Sequence, residues 1–404
     1  MNAHALERFI ESHAVMLPDP FDGAALDVGL LAPLGARLAG YDIVALGEMN
    51  HFVHEKSDFR LLLARALLPL GWTDFAEELG WSDGLRIDRF LVSGAEDEFD
   101  RLPSFGYTGH LRADRDDRPG GILKIESYPT EAFLFEQRRF YRALRNEALR
   151  LGLRVRLAGI DVDGLPGGGY EDIAHSIPSH DDAAFRLALH RVPNETARNE
   201  AKRLRKARDL VPPHWPADIS QCIEMLAESL DYIAMTYSAT SYDEVRPGMA
   251  LRENAMKRRL TEAERKLGTT RLVVMAHALH LAKCDRAIAS GGVGPGGNRT
   301  PSLGDWLVQE RGKKVFSVWM IYGGGEDSQP LANLPRSAHF PAYSLNAMLA
   351  RFGQPLLFFP GDAPGLFKEK CAIGHMYNGL IKTSLAVQAD AVVFLPAVTP
   401  LRDA

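Results

Sequence analysis

The stretch from Tyr41 to Arg60, YDIVALGEMNHFVHEKSDFR, constrains the fold more than any other part of the chain. Ile43-Val44-Ala45-Leu46 is too short an apolar run for a helix, and rich enough in β-branched residues for a buried strand. Gly47 is expected to break that run. A helical pattern follows, in which Phe52, Phe59, Leu62 and Leu63 line one side. A strand that feeds a helix through a tight turn is half of a βαβ unit, and sheets built from such units place ligands at the carboxyl ends of their strands. Glu48, His51, His54, Glu55 and Arg60 fall at that end, where charge near a sheet core has to be paired. The plainer alternative is a charged helix start, with Glu48 favouring the dipole and His54, Glu55 and Asp58 facing water. A second histidine segment far downstream, Ala276-His277-Ala278-Leu279-His280, weighs against it.

The rest of the chain repeats the alternation. Trp72 to Ala76 reads as a second strand that delivers Glu77 and Glu78, and Val155 to Ile160 as a third, followed by Asp161. Leu272 to Met275 runs into His277 and His280, two imidazoles that a helix would place on one face at i and i+3. Val315 to Tyr322, Leu356 to Phe359 and Ala391 to Leu395 complete at least six strand candidates. Between them, Ser57 to Leu68 and Glu131 to Arg150 carry helical periodicity. The expected class is α/β, a three-layer α/β/α arrangement with a mostly parallel central sheet. We read 1–404 as a single domain in which 181–265, helical in pattern and free of strand signals, is an insertion or cap. Leu102 to Gly121, Gly164 to Tyr170 and Gly291 to Thr300 read as loops. None is a phosphate loop, because no Lys-Ser/Thr follows the glycines.

Composition narrows the function. With 404 residues, 46% of them hydrophobic, the chain can bury a large core. A net charge of −5 leaves no basic footprint for nucleic acid. Cys222, Cys284 and Cys371 form no CxxC pair, which suits a reducing compartment. The amino-terminal MNAHALERFIESHAVML reads as a short amphipathic helix, not a signal peptide, and no run of about 18 apolar residues suggests a membrane span. A cytoplasmic protein acting on a small molecule is the expectation. Oligomeric state stays open.

Gly47, Glu48, His51 and Arg60 form GE-x-x-H with an Arg nine residues on, and this segment resembles the erythromycin esterase family. Further resemblances follow in order over nearly the whole chain. Glu78, Trp81, Arg89 and Phe90 fit the family's second strand end and next helix, with Glu77 a competitor one position earlier. Leu144-Arg145-Asn146 and Gly159-Ile160-Asp161 fit a later helix and strand end, although Asp161 also suits a helix cap. Arg252, Glu253 and Met256 resemble a family helix, with a plain exposed charge as the alternative for Arg252. His277 and His280 match Ala-His-Asn-Ala-His, Leu303 to Leu307 a small-residue helix start, and Thr399-Pro400 the usual end of the last strand. The resemblance implies a hydrolase of the ester or lactone type, in which a histidine activates water and no metal or other cofactor is required. The catalytic set it implies is Glu48, His51, Arg60, Glu78, His277 and His280. Phe52, Glu77, Trp81, Arg89, Asp161 and Arg252 are the expected substrate contacts.

Chemistry points the same way. No G-x-S-x-G elbow occurs, and no cysteine sits in a motif, so direct attack by water is the economical route. His51 suits the base, with Glu48 to fix its tautomer. Arg60, Arg89 or a second imidazole suits the stabilisation of negative charge. Two positions depart from the family: Phe52 where glycine is usual, and Ala278 in place of asparagine. Both are expected to face substrate, so weak cleavage of erythromycin and better action on another natural-product ester is anticipated. A tailoring enzyme acting on an amide, a lactam or by acyl transfer remains open, as do a metal-dependent hydrolase using His51, His277 and His280 and a non-catalytic binding protein.

Overall fold

The computed structural model describes residues 1–100, 130–162, 189, 192, 195–237, 239–290, 300–329 and 335–402. Its centre is an eight-stranded sheet. In chain order the strands are β1 (Val15–Met16), β2 (Ile43–Glu48), β3 (Asp74–Gly80), β4 (Arg156–Asp161), β5 (Leu272–His277), β6 (Val315–Tyr322), β7 (Leu356–Phe358) and β8 (Ala391–Leu395). Across the sheet the order is β1-β7-β8-β6-β2-β5-β3-β4. The six strands from β8 to β4 run parallel, and β7 opposes both its neighbours. Strand β2 is therefore the pivot. The chain leaves it for β3 and β4, returns to insert β5 beside it, and then crosses to β6. Open α/β sheets bind ligands where the strand order reverses in this way.

Both faces are covered, so the strands read as continuous apolar runs instead of alternating ones. On one face Val44, Leu46, Phe75, Leu157, Val273 and Met275 join a core with Leu6, Phe9 and Ile10 of α1 (Ala3–His13). Helices α2 (Glu55–Leu67) and α4 (Thr130–Arg150) lie on the same side, bringing Phe59, Leu62, Leu63, Phe140 and Tyr141. On the other face Ile43, Ala45, Ala158, Ile160, Leu272 and Val274 pack against α5 (Ala197–Arg208), α6 (Ala217–Thr236) and α7 (Tyr242–Leu267). The architecture is thus three-layered α/β/α. The helices drawn from the block expected to cap the strand ends form one of these layers on the sheet face, because α5 to α7 bury their apolar residues there. Residues 181–188 of that block, and the loops at 102–121, 164–170 and 291–299, lie outside the described residues.

Two local expectations are corrected. Gly47 does not break the strand but lies within it. A Cβ there would sit 2.9 Å from Ala278 Cα and 3.2 Å from the Trp319 ring, so the missing side chain lets β2 sit close against its neighbours. The helix after β2 starts only at Glu55, leaving His51 on the connecting segment. Likewise His277 and His280 share no helix. His277 ends β5, and the His280 N–H donates to the His277 carbonyl at 2.9 Å in a turn.

Candidate functional site

Register brings the acidic and imidazole residues to one edge. Glu48 pairs across β2 and β5 with His277, and Gly80 pairs across β3 and β4 with Asp161. All four positions stand at the carboxyl ends of parallel strands. The pairing of β3 slips between Glu77 and Gly80, so Glu77 and Glu78 both find partners at this edge. Arg60, reaching up from α2, donates to Glu77 Oε1 at 2.5 Å and to Glu48 Oε1 at 2.8 Å. Tyr141 of α4 donates its hydroxyl to Glu77 Oε2 at 2.6 Å. Across the site, Arg252 of α7 holds Asp161 with two nitrogens and donates to Glu78 Oε1 at 2.5 Å. Each of the two buried guanidiniums thus serves two carboxylates, and buried charges are tolerated only when paired in this way.

Glu78 is the junction. Its Oε2 accepts the His277 backbone N–H at 2.6 Å. Its Oε1 lies 3.4 Å from His280 Nε2 and 3.8 Å from His51 Nε2. Burial opposes its ionisation, but His280, His51 and Arg252 hold it well below the ordinary carboxylate range. Burial also opposes ionisation of Glu48, and Arg60, assisted by His51 and Lys56, brings it down to about 2. His51 Nδ1 is 3.3 Å from that Glu48 carboxylate.

The imidazoles differ in charge. His277 Nδ1 accepts the Leu279 N–H at 3.3 Å, so its proton belongs on Nε2, which has no partner among the described residues. Burial, reinforced by His51, pushes His277 well below its usual range and keeps it neutral. Its ring centroid is 5.1 Å from His51, 6.4 Å from His280 and 6.3 Å from His375. His280 is the opposite case. Burial alone would lower it, yet Glu253 at Nδ1 and Glu78 at Nε2 raise it to about 10. Glu253 is itself tied to the chain by the Leu303 N–H at 3.1 Å.

A folded-state value near 10 lies above the roughly 6.5 of an unfolded histidine. The stabilisation from His280 is therefore complete below about pH 6.5 and is lost as pH rises through 10. Urea melts between pH 6.5 and 10 should show stability falling less steeply in His280→Asn protein than in the wild type. Equal slopes would remove this assignment.

Not every expected contact is brought in. Arg89 makes a two-point pair with Glu98, both contacts at 2.9 Å, and its side chain is 44% exposed. Helix α3 (Trp81–Ser93) carries it away from the strand end. Trp81 is buried in the core under α6, and its backbone N–H is directed at the Met225 sulfur. Phe52 and Ala278 are both 0% exposed. Phe52 packs at right angles to His51 and beside Phe133, and Ala278 packs against Gly47. Both side chains are enclosed by protein neighbours. His54 also turns away, clamped between Asp58 and Glu136 with Arg139 outside them. Burial would lower His54, but the two carboxylates raise it to about 9.

Sequence reasoning missed Tyr141, Glu253 as the partner of His280, Lys56 and His375. Lys56 is buried over the Phe133 ring, and its burial lowers it to about 8. His375 ends a hairpin strand, Cys371–His375, paired with Gly379–Thr383. The Asn378-Gly379 dipeptide between apolar runs was the available signal. Among the described residues, no three His, Cys, Asp or Glu side chains are arranged to hold a metal ion. No described helix is long and apolar enough to cross a membrane. A groove of about 630 Å³ on the outer helical surface, lined by Arg205, Arg208, Glu224 and Arg259 among others, includes none of these site residues. Its arginines are paired with Glu224, Asp231 and Glu228.

No family model matches the sequence, and no curated protein does. Solved structures do match in fold over the whole length. A Bacillus cereus protein superposes with a TM-score of 0.70 at 17% identity, covering 100% of both chains. A succinoglycan biosynthesis protein gives 0.65 at 15% identity, covering 98% of each. A histidine-to-asparagine mutant of erythromycin esterase EreC in its open conformation gives 0.62 at 16% identity, covering 97% of this chain and 98% of that one. At such identities the likeness is one of fold.

Proposed function

We propose that the chain is a hydrolase in which His51 activates water against the carbonyl carbon of an ester or lactone. One arrangement carries this reading. His51 sits on an ionised Glu48 and stands 5.1 Å, ring to ring, from a neutral His277 whose Nε2 hydrogen is unpartnered. Glu48 accepts the Nδ1 proton, which leaves the Nε2 lone pair as the base. Water loses a proton to His51 as its oxygen bonds to the acyl carbon. The oxyanion so formed meets the His277 N–H, in a site where burial strengthens the interaction. Collapse breaks the bond to the alkoxide, which takes the proton back from His51. Arg60 keeps Glu48 ionised, while Arg252 and His280 keep Glu78 so. Glu77, Asp161 and Arg252 frame the edge against which substrate would lie.

The likeness to a fold used by an erythromycin esterase supports ester hydrolysis as the reaction class. The neighbour named for succinoglycan biosynthesis supports a second reading, an acyl compound within a biosynthetic sequence. A panel decides between them: p-nitrophenyl butyrate, a 14-membered macrolactone, the corresponding amides, and an activated acyl donor with a sugar acceptor. Hydrolysis of ester or lactone, with amides untouched, is expected. Transfer to the sugar without hydrolysis would select the second reading. Activity should also survive prolonged chelation, since an imidazole base needs no Lewis acid. Loss on chelation with recovery in zinc or manganese would place the reaction on a metal instead.

A further inference from the structure

His375 lies 6.3 Å, ring to ring, from His277 at an interplanar angle of 79°. It is buried to 6% exposure, and neither ring nitrogen has a hydrogen-bond partner among the described residues. A buried imidazole normally satisfies at least one nitrogen, so two open ones require an explanation. The backbone around it is held from three sides. Asn346 donates to the Gly374 carbonyl at 3.3 Å and accepts the Gly374 N–H at 2.6 Å. The Met376 N–H donates to the Met49 carbonyl at 2.8 Å, which ties the hairpin to the segment between Glu48 and His51. The turn beyond places Tyr377 and Asn378 in left-handed conformations, at φ of 64° and 54°. For a tyrosine this conformation is strained, and the surroundings must offset it. Finally, a Cβ at Gly379 would come within 2.3 Å of the His375 ring, so the ring occupies space that only glycine leaves. Strain, pinning and the glycine all fix a side chain that hydrogen-bonds to none of the described residues.

Resting on the hydrolytic reading above, we propose that His375 is a fourth imidazole of the site and donates, together with His277, to the same substrate oxygen as negative charge develops on it. Two neutral rings 6.3 Å apart, each with an unpartnered ring nitrogen among the described residues, leave room for one oxygen that takes an N–H from both, as an oxyanion requires. Burial keeps His375 uncharged by lowering it to about 4, so its ring remains a donor through one nitrogen and adds no charge beside His277.

The test compares wild type, His375→Ala, His375→Gln and His51→Ala in the full-length protein. The hydrolysis of p-nitrophenyl butyrate and the binding of 1,1,1-trifluoro-2-hexanone, followed by fluorine NMR, are measured for each. The hydrated ketone mimics the tetrahedral species and needs no turnover. His375→Ala should lower kcat by about 10²-fold with KM nearly unchanged. It should weaken the ketone in the same proportion, and His375→Gln, which keeps an N–H, should recover at least part of both. Wild-type kcat in His375→Ala protein, with His51→Ala dead, would overturn the role of His375 and leave the hydrolytic reading standing. If wild type and His51→Ala hydrolyse the ester equally, that reading fails instead. The ketone titration then decides alone: equal affinity in wild type and His375→Ala, or no binding to wild type, overturns the proposal. Since His375 has no hydrogen bond to lose, circular dichroism of both variants should remain native.

Discussion

His51→Ala protein should lose between about 10²- and 10⁴-fold in kcat/KM on the ester it cleaves best, while melting as the wild type does. The size follows from removing a base that no neighbour can replace. Glu48 is acceptor-only and paired to Arg60, Glu78 is committed to Arg252 and the His277 amide, and His277 is held neutral with its available nitrogen protonated. His280 is protonated up to about pH 10 and cannot accept a proton near neutrality. The small structural cost follows from position. The His51 side chain is 12% exposed, and without it Arg60 and Arg252 still pair Glu48 and Glu78. Glu48→Gln should lose less than His51→Ala in kcat, because the amide preserves the contact while weakening its hold on the tautomer. Steady-state kinetics with matched circular dichroism check both. Full activity in folded His51→Ala protein would remove the base from the mechanism.

Arg60→Met should have the largest effect on stability, about 3–5 kcal/mol in urea unfolding. The guanidinium is almost wholly buried, and its loss removes the one cation that hydrogen-bonds both Glu48 and Glu77 among the described residues. Desolvation, which already opposes the Glu48 charge, would then dominate. The sign can be tested with pH. Glu48 is depressed to about 2, below the roughly 4.3 of an unfolded glutamate. Its contribution is complete above about pH 4.3 and is lost as pH falls through 2. Acid titration should therefore destabilise the wild type more than Arg60→Met relative to their values at pH 7. Arg89→Met is the control. Its pair with Glu98 is partly exposed and should be worth no more than about 1 kcal/mol. A loss at Arg60 as small as that at Arg89 would mean that water, not Arg60, compensates the two carboxylates.

These two arginines show where sequence and structure part. Both follow an acidic strand end and lie on the next helix, and the sequence offered either one for stabilising negative charge. Arg60 lies near the start of α2, within reach of the strand ends. Arg89 lies eight residues into α3 and has moved down the helix axis to Glu98. Distance along a helix decides this, and that distance depends on where the helix begins.

What the chain determined by itself was the sheet and its charged edge. Apolar runs of strand length, each ending in Glu48, Glu78, Asp161 or His277, alternate with helical periods, and a parallel α/β sheet must bring such ends to one side. That logic is local, so it survives without coordinates. Tertiary structure alone decided the partners. Arg252 joins Asp161 and Glu78 from a helix 91 residues beyond Asp161, and His280 is charged because Glu253 is folded against it. Phe52 and Ala278 are enclosed by neighbours distant in sequence. His375 reaches His277 from a hairpin near the end of the chain. Burial and ion pairing are sums over everything that surrounds a group, and no spacing within one segment contains them.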